Sequence, residues 1–200
     1  MCELILASTS TYRAQLLRRL GLPFRQVAPS FEELCDDAPG AEWLVRENTL
    51  GKGRSVSRQW PDARVIASDQ VAVCEGRLLG KPDSFEAAVA QLQDVAGKRV
   101  RFLTGVALLH GDDVRYDLVS CDAWFRRLPR GEIERYVRRD KPLDCAGAFK
   151  SESLGIALVA RMSLDDPTAL MGLPLIRLSD WLRPLSWAME SSHACQTLQR

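Results

Sequence analysis

The chain puts an aspartate where an apolar strand ought to continue. In "RVIASDQVAV", Asp69 separates two apolar runs. A carboxylate beside a core strand must lie at the strand's end, in a turn or against a polar cavity, because burying it without partners is costly. "GKP" sets Lys81 in a turn fixed by Gly80 and Pro82, and Lys52 stands between Gly51 and Gly53, which allow close approach. Lysine occurs only at positions 52, 81, 98, 141 and 150, so a lysine in such a setting is informative. Glu32 and Glu33 add acidic groups from a further loop. With one arginine, these lysines and carboxylates make up the set that phosphoanhydride hydrolysis at a divalent ion needs. Cations offset phosphate charge, carboxylates hold the metal, and one carboxylate orients or deprotonates water. Taken singly, each residue has a plainer role: Asp69 as a turn cap, Lys81 and Glu33 as solvated surface groups.

The arginine is Arg13, in "LILASTSTYRAQLLRRLG". Leu4-Ile5-Leu6 read as a buried strand, and Leu16, Leu17 and Leu20 recur at helical spacing before Gly21, which suits a helix C-cap. "ASTSTYR" then falls on a strand-to-helix loop, where α/β proteins bind ligands and a helix N-terminus offers unpaired N–H groups to an anion. Ser8 and Ser10 add hydroxyl donors, and Arg13 adds a planar fork suited to phosphate. Ser10 or Thr11 as a simple helix cap is the plainer alternative.

Strands and helices must carry these groups. "PFRQVAPS" reads as a short strand, and residues 41–60 read as a helix with an interruption at Gly51 and Gly53. "RVIASDQVAV" is a strand broken near Asp69, and "EGRLLGKP" is a turn, short strand and turn. Residues 84–96 form a capped helix. "VRFLTGVALLH" and "VRYDLVSCDAWFRRL" make a hairpin about Gly111-Asp112. "RGEIERYVRRD" is a helix; "AGAFKSESLG", which carries Lys150 and Glu152, is a turn region; "IALVA" is a strand; and a last helix begins near Ser179-Asp180. The interleaving predicts an α/β fold with a mixed twisted sheet and flanking helices, in one domain or one two-lobed unit over 1–200, with residues 187–200 frayed.

Composition narrows the function. Lys+Arg 27 against Asp+Glu 26 gives a net charge of +1, so no global field draws the protein to nucleic acid or an anionic membrane. Six cysteines without a C-x-x-C and two histidines give little support to structural zinc or a disulfide framework, so reduced cytosolic thiols are the simplest account. "MCELILAS" lacks the basic and long apolar regions of a signal peptide, and no apolar run reaches the roughly 18 residues of a membrane span. A cytoplasmic protein without a membrane partner is the expectation. "WFRRLPRGEIERYVRR", residues 124–139, alternates aromatics with arginines and is the one stretch that suits a non-catalytic nucleotide or RNA-end binding module, although no RNA-binding motif accompanies it.

Several ordered motifs together resemble the Maf family of nucleoside triphosphate pyrophosphatases: "LILASTSTYRAQLL", "SDQVAV", "LGKP", "LTGVAL", "CAGAFKSE" and "MGLPLIRLSDWL", nearly end to end. The resemblance implies a two-lobed architecture like that of inosine triphosphatases, with a central cleft. It also implies Mg²⁺ or Mn²⁺ as cofactor, a homodimer, and release of a nucleoside monophosphate and pyrophosphate. Carried over residue by residue, it puts phosphate contacts on Ser8, Ser10 and Arg13 and metal ligation on Glu33 and Asp69. Catalytic roles fall on Asp69, Lys81, Lys52 and Glu33, and further substrate contacts on Tyr12, Gln70, Lys150 and Glu152. Many members read Pro-Arg after the second serine, Asp-Thr at the acidic strand and a later turn ending in Gln. Here the matching positions are Thr11-Tyr12, Asp69-Gln70 and "FKSE" ending in Glu152. That combination resembles the branch acting on 7-methyl-GTP, and the Arg, Thr and Gln combination resembles enzymes acting on dTTP and UTP, the alternative substrates. Chemistry agrees, because an aromatic face stacks favourably on the cationic methylated guanine and a carboxylate accepts its edge donors.

Overall fold

Residues 2–35 and 39–183 are described by a computed structural model; the expected fraying of residues 187–200 falls outside them. Strand β1 (Leu4–Ala7) runs into helix α1 (Thr11–Arg18), β2 (Arg25–Val27), α2 (Ala41–Ser57), β3 (Arg64–Cys74) and β4 (Arg77–Leu79). Helix α3 (Phe85–Val95), the hairpin β5 (Arg99–His110) and β6 (Asp113–Phe125), α4 (Arg130–Asp140) and β7 (Val159–Leu164) follow. Among the described residues the strands form one seven-stranded sheet in the order β2-β1-β3-β5-β6-β7, with β4 beside β3. Pairing is parallel between β1 and both β2 and β3 and antiparallel beyond, so the sheet is mixed as expected.

Three apolar clusters pack on this sheet. Ile66 joins β1, α1 and Leu173, Leu175, Leu178 and Leu182 on one face, and Val65 and Ala67 join Leu50 and Val56 of α2 on the other. Because neighbouring strand residues point to opposite faces, β3 serves both clusters at once. The third cluster gathers α3, α4, Phe102, Phe125 and Phe149 at the other end of the sheet. Two lobes therefore share the long strands β3 and β5, and a cleft opens between them.

Four local expectations change. Strand β3 does not break at Asp69, because its backbone stays paired with β5 from Val65 to Cys74. Helix α2 is also unbroken: its two glycines serve close packing, since a Cβ at Gly51 would lie 2.2 Å from Phe31 Cε2 and one at Gly53 2.5 Å from Leu109 Cδ1. "IALVA" is mostly a tight 3₁₀ turn over Leu154–Leu158, and the strand begins at Val159. The last helix starts at residue 175, where Thr168 and Asp166 of the preceding loop cap it. Phe125 and Leu182 are core residues, and Trp124 stacks under the Arg161 guanidinium 3.9 Å away. No helix among the described residues is long and apolar enough to cross a membrane.

Candidate active site

Continuity of β3 puts Asp69 in the middle of the sheet, 5% exposed, on the face that meets α2. Lys52 comes down from α2, also buried, and its Nζ donates to Asp69 Oδ1 at 2.6 Å and lies 2.8 Å from Glu33 Oε1. One ammonium thus joins two carboxylates. The loop that brings Glu33 is fixed by Asn48 of α2, which accepts from Leu34 N–H at 2.8 Å and donates to Leu34 O at 3.0 Å. Phe31 of the same loop seats its ring on bare Gly51. Asn48, Gly51 and Lys52 therefore place both the carboxylate and its counter-ion from a single helix.

Burial alone would raise the Glu33 carboxyl. The hydrogen bond from Lys52 and the charges of Lys52, Lys81 and Arg13 outweigh it and hold the group below its ordinary 4.5. The sign for stability follows. A depressed carboxylate contributes fully above its unfolded value, and the contribution is lost as pH falls through the lower folded value. Melting temperature against pH should therefore fall more steeply below about pH 4.5 in the wild type than in Glu33→Gln; parallel curves would show that the ion pair contributes nothing to the fold.

The α1 loop supplies the opposite wall. Ser10 caps α1 by accepting from Arg13 N–H at 3.3 Å, and Ser8 Oγ accepts from Ser10 N–H at 3.1 Å. The cap uses one of the N–H groups that a helix start leaves without an intrahelical partner, so it does not by itself exclude a ligand there. Arg13 Nε donates to Gly172 O at 2.9 Å, which leaves the two terminal nitrogens of the fork free for an anion. Burial lowers its guanidinium pKa against the pull of Asp69 and Glu33. Lys81 follows the β4 turn, whose Gly80 carbonyl is held by Gly147 N–H and Gln91 Nε2.

Ser8, Ser10, Tyr12, Arg13, Glu33, Lys52, Asp69, Gln70, Lys81 and Glu152 all line one cleft of about 300 Å³. Lys52, Lys81 and Arg13 act on Glu33, and Lys52 also pairs with Asp69, whereas the 144–152 segment lines the cleft with Asp144, Phe149 and Glu152, and Tyr12 lies beside that segment, 5.5 Å from the Lys150 ammonium. Burial pushes the Cys145 thiol on this segment up to about 12, so it stays neutral.

Two residues sit differently from the rest. Lys150 does not line the cleft: its ammonium lies 5.5 Å from the Tyr12 ring centroid, 3.7 Å from Asp144 Oδ1, and donates to Asp140 O at 3.0 Å. It reaches the site only through Tyr12 and Asp144. Gln70 does line the cleft, but its Nε2 is taken by Thr104 Oγ1 and the carbonyls of Ala169 and Leu170 at 2.9–3.2 Å, so only its carbonyl oxygen is left for a ligand. Asn48, Phe31 and Gly172 were not singled out from the sequence, because the signal for each is a contact across the fold.

Divalent-metal ligation can be judged from the donors. Among the described residues no three His, Cys, Asp or Glu side chains converge. Two carboxylates beside a cluster of cations nevertheless suit Mg²⁺ or Mn²⁺, which take one or two protein carboxylates and complete their shell with water and substrate phosphates. Glu33 and Asp69 have hard oxygens not engaged by Lys52, so the residues fit such an ion.

The sequence matches the family model described as "Maf-like protein" over residues 3–185. A protein named 7-methyl-GTP pyrophosphatase from Syntrophotalea carbinolica is 48% identical over 182 residues, 90% of this chain and 92% of that one. One of the same name from Pseudomonas aeruginosa is 47% identical over 184 residues, 91% of this chain and 96% of that one. Among solved structures, the Ham1 protein of Staphylococcus aureus is 16% identical with a TM-score of 0.47, over 62% of this chain and 72% of that one.

Proposed function

Since this chain belongs to the Maf family, we propose that it hydrolyses 7-methyl-GTP to 7-methyl-GMP and pyrophosphate. The observation that carries the reading is the make-up of the cleft: Arg13, Lys81 and the Lys52-bridged carboxylates suit an anionic tail, and Tyr12, Phe149 and Glu152 suit a cationic base. A ligand with an anionic tail and a cationic head complements that make-up, and N7-methylated guanosine triphosphate has both. The names of its relatives support the same substrate.

In this mechanism Arg13, Lys81, Ser8 and Ser10 hold the phosphates. Lys52 keeps Asp69 oriented, and Asp69 takes a proton from water as the water oxygen bonds to the α-phosphorus. The bond from that phosphorus to the α–β bridging oxygen breaks, and its electron pair leaves on pyrophosphate. A divalent ion held by Glu33 and Asp69 would supply further neutralisation of phosphate charge. Tyr12 stacks on the base, and Glu152 accepts from its Watson–Crick edge while balancing its charge. A cytoplasmic homodimer belongs to the same proposal; sedimentation over a range of concentrations tests the assembly.

Glu152→Gln separates base reading from general support. Loss of a charge-assisted hydrogen bond at a desolvated base is worth about 1.5–3 kcal/mol, so the ratio of kcat/KM for 7-methyl-GTP over dTTP should fall on the order of 10- to 100-fold. An equal loss on both substrates would remove Glu152 from base recognition.

A further inference from the structure

We infer that Asp166 is a positioning residue for the anion site, acting through the Gly172 carbonyl on Arg13. Asp166 is an acidic side chain only 3% exposed, remote in sequence from every residue of the mechanism above. Its Oδ1 accepts from Thr168 N–H at 2.8 Å and from the Thr168 hydroxyl at 2.6 Å, and its Oδ2 accepts from Ile176 N–H at 2.8 Å. Thr168 Oγ1 in turn accepts from Leu175 N–H at 2.8 Å. The two side chains therefore occupy two unpaired N–H groups at the start of the last helix and tie it to the beginning of the loop 165–174.

What this knot closes is the wall of the cleft. Between its ends the chain makes a tight turn at Ala169–Met171 and reaches Gly172, at φ 100°. Three carbonyls of this segment accept from the cleft side: Ala169 O from Gln70 and Thr104, Leu170 O from Gln70, and Gly172 O from Arg13 Nε at 2.9 Å and from Ser68 Oγ at 2.8 Å. A Cβ on Gly172 would lie 3.3 Å from Arg13 Nε, so the loop and the guanidinium are fitted closely. With Nε fixed by a carbonyl, the plane of the Arg13 fork is set before any ligand arrives, and pre-setting a donor lowers the ordering cost of binding. Release of the knot leaves Arg13 charged but no longer aimed.

This inference rests on the reading of Arg13 as a phosphate ligand, and its test avoids the base. The probe is inorganic tripolyphosphate, titrated by calorimetry into the wild type, Asp166→Asn, Thr168→Val, Arg13→Lys and the double variants that combine Arg13→Lys with each loop change. Asp166→Asn sets an amide against Ile176 N–H. Thr168→Val removes the second cap yet leaves Asp166 its two backbone partners, so it serves if the first variant does not fold. Each loop variant should weaken tripolyphosphate about tenfold and raise KM for 7-methyl-GTP and dTTP by the same factor with little change in kcat. In the Arg13→Lys background the loop change should add almost nothing. Undiminished tripolyphosphate binding in folded variants, or losses that add fully to that of Arg13→Lys, would overturn the inference. A preference for dTTP over 7-methyl-GTP would overturn the substrate reading and leave this one standing.

Discussion

Asp69→Asn should lower kcat by roughly 10²- to 10⁴-fold, the usual worth of a positioned general base, without weakening nucleotide binding measured in the absence of divalent ion. The amide keeps the size of the side chain, and Lys52 keeps its second partner, Glu33, 2.8 Å away. Basicity and one negative charge are what disappear. Removing that charge beside a triphosphate costs no direct attraction, so a fall in kcat with unchanged or tighter binding of nucleotide in the absence of divalent ion is the signature of a lost base. Equal losses in binding and turnover would instead mark Asp69 as a scaffold for Lys52. Turnover near that of the wild type would take it out of the chemistry.

Lys52→Met should be the most damaging single change to stability in the site. It strands the Asp69 carboxylate at 5% exposure in the middle of a strand, and breaking a buried pair by deleting one partner costs about 3–5 kcal/mol. For a chain of this size that corresponds to a fall in Tm of roughly 6–20 °C. The double variant Lys52→Met with Asp69→Asn should recover a large part of the loss, because the stranded charge goes with the carboxylate. Thermal melts of the four proteins check this. A double variant no more stable than Lys52→Met would mean that the lysine stabilises through its aliphatic stem, not through its charge.

Much of this site is legible along the chain, for local reasons. The serines of "ASTSTYR" precede a helix in the sequence as they do in space, and Ser10 caps α1 as its residue type allows. The hairpin about Gly111 and the Ser84 cap of α3 are equally local. Where contacts cross the fold, the signal weakens. Asp69 looks like a strand break because its counter-ion arrives from α2, which no pattern within β3 reveals. Gly51 and Gly53 look like helix interruptions because the ring and the leucine that fill their faces come from elsewhere. Lys150 is close to the site in sequence terms, yet its ammonium lies 5.5 Å from the Tyr12 ring centroid and outside the cleft lining. The start of the last helix moved for the same reason: its caps, Asp166 and Thr168, lie outside the first turn. A reading of "DDPT" as an Asx-type turn would have marked them.

Specificity for a methylated purine is the central claim, and a side-by-side measurement of kcat/KM for 7-methyl-GTP, GTP, dTTP and UTP, read through pyrophosphate release, tests it most directly. 7-Methyl-GTP should be preferred over all three, and each turnover should yield one pyrophosphate and one monophosphate. Preference for dTTP or UTP, or stepwise release of orthophosphate, would contradict it.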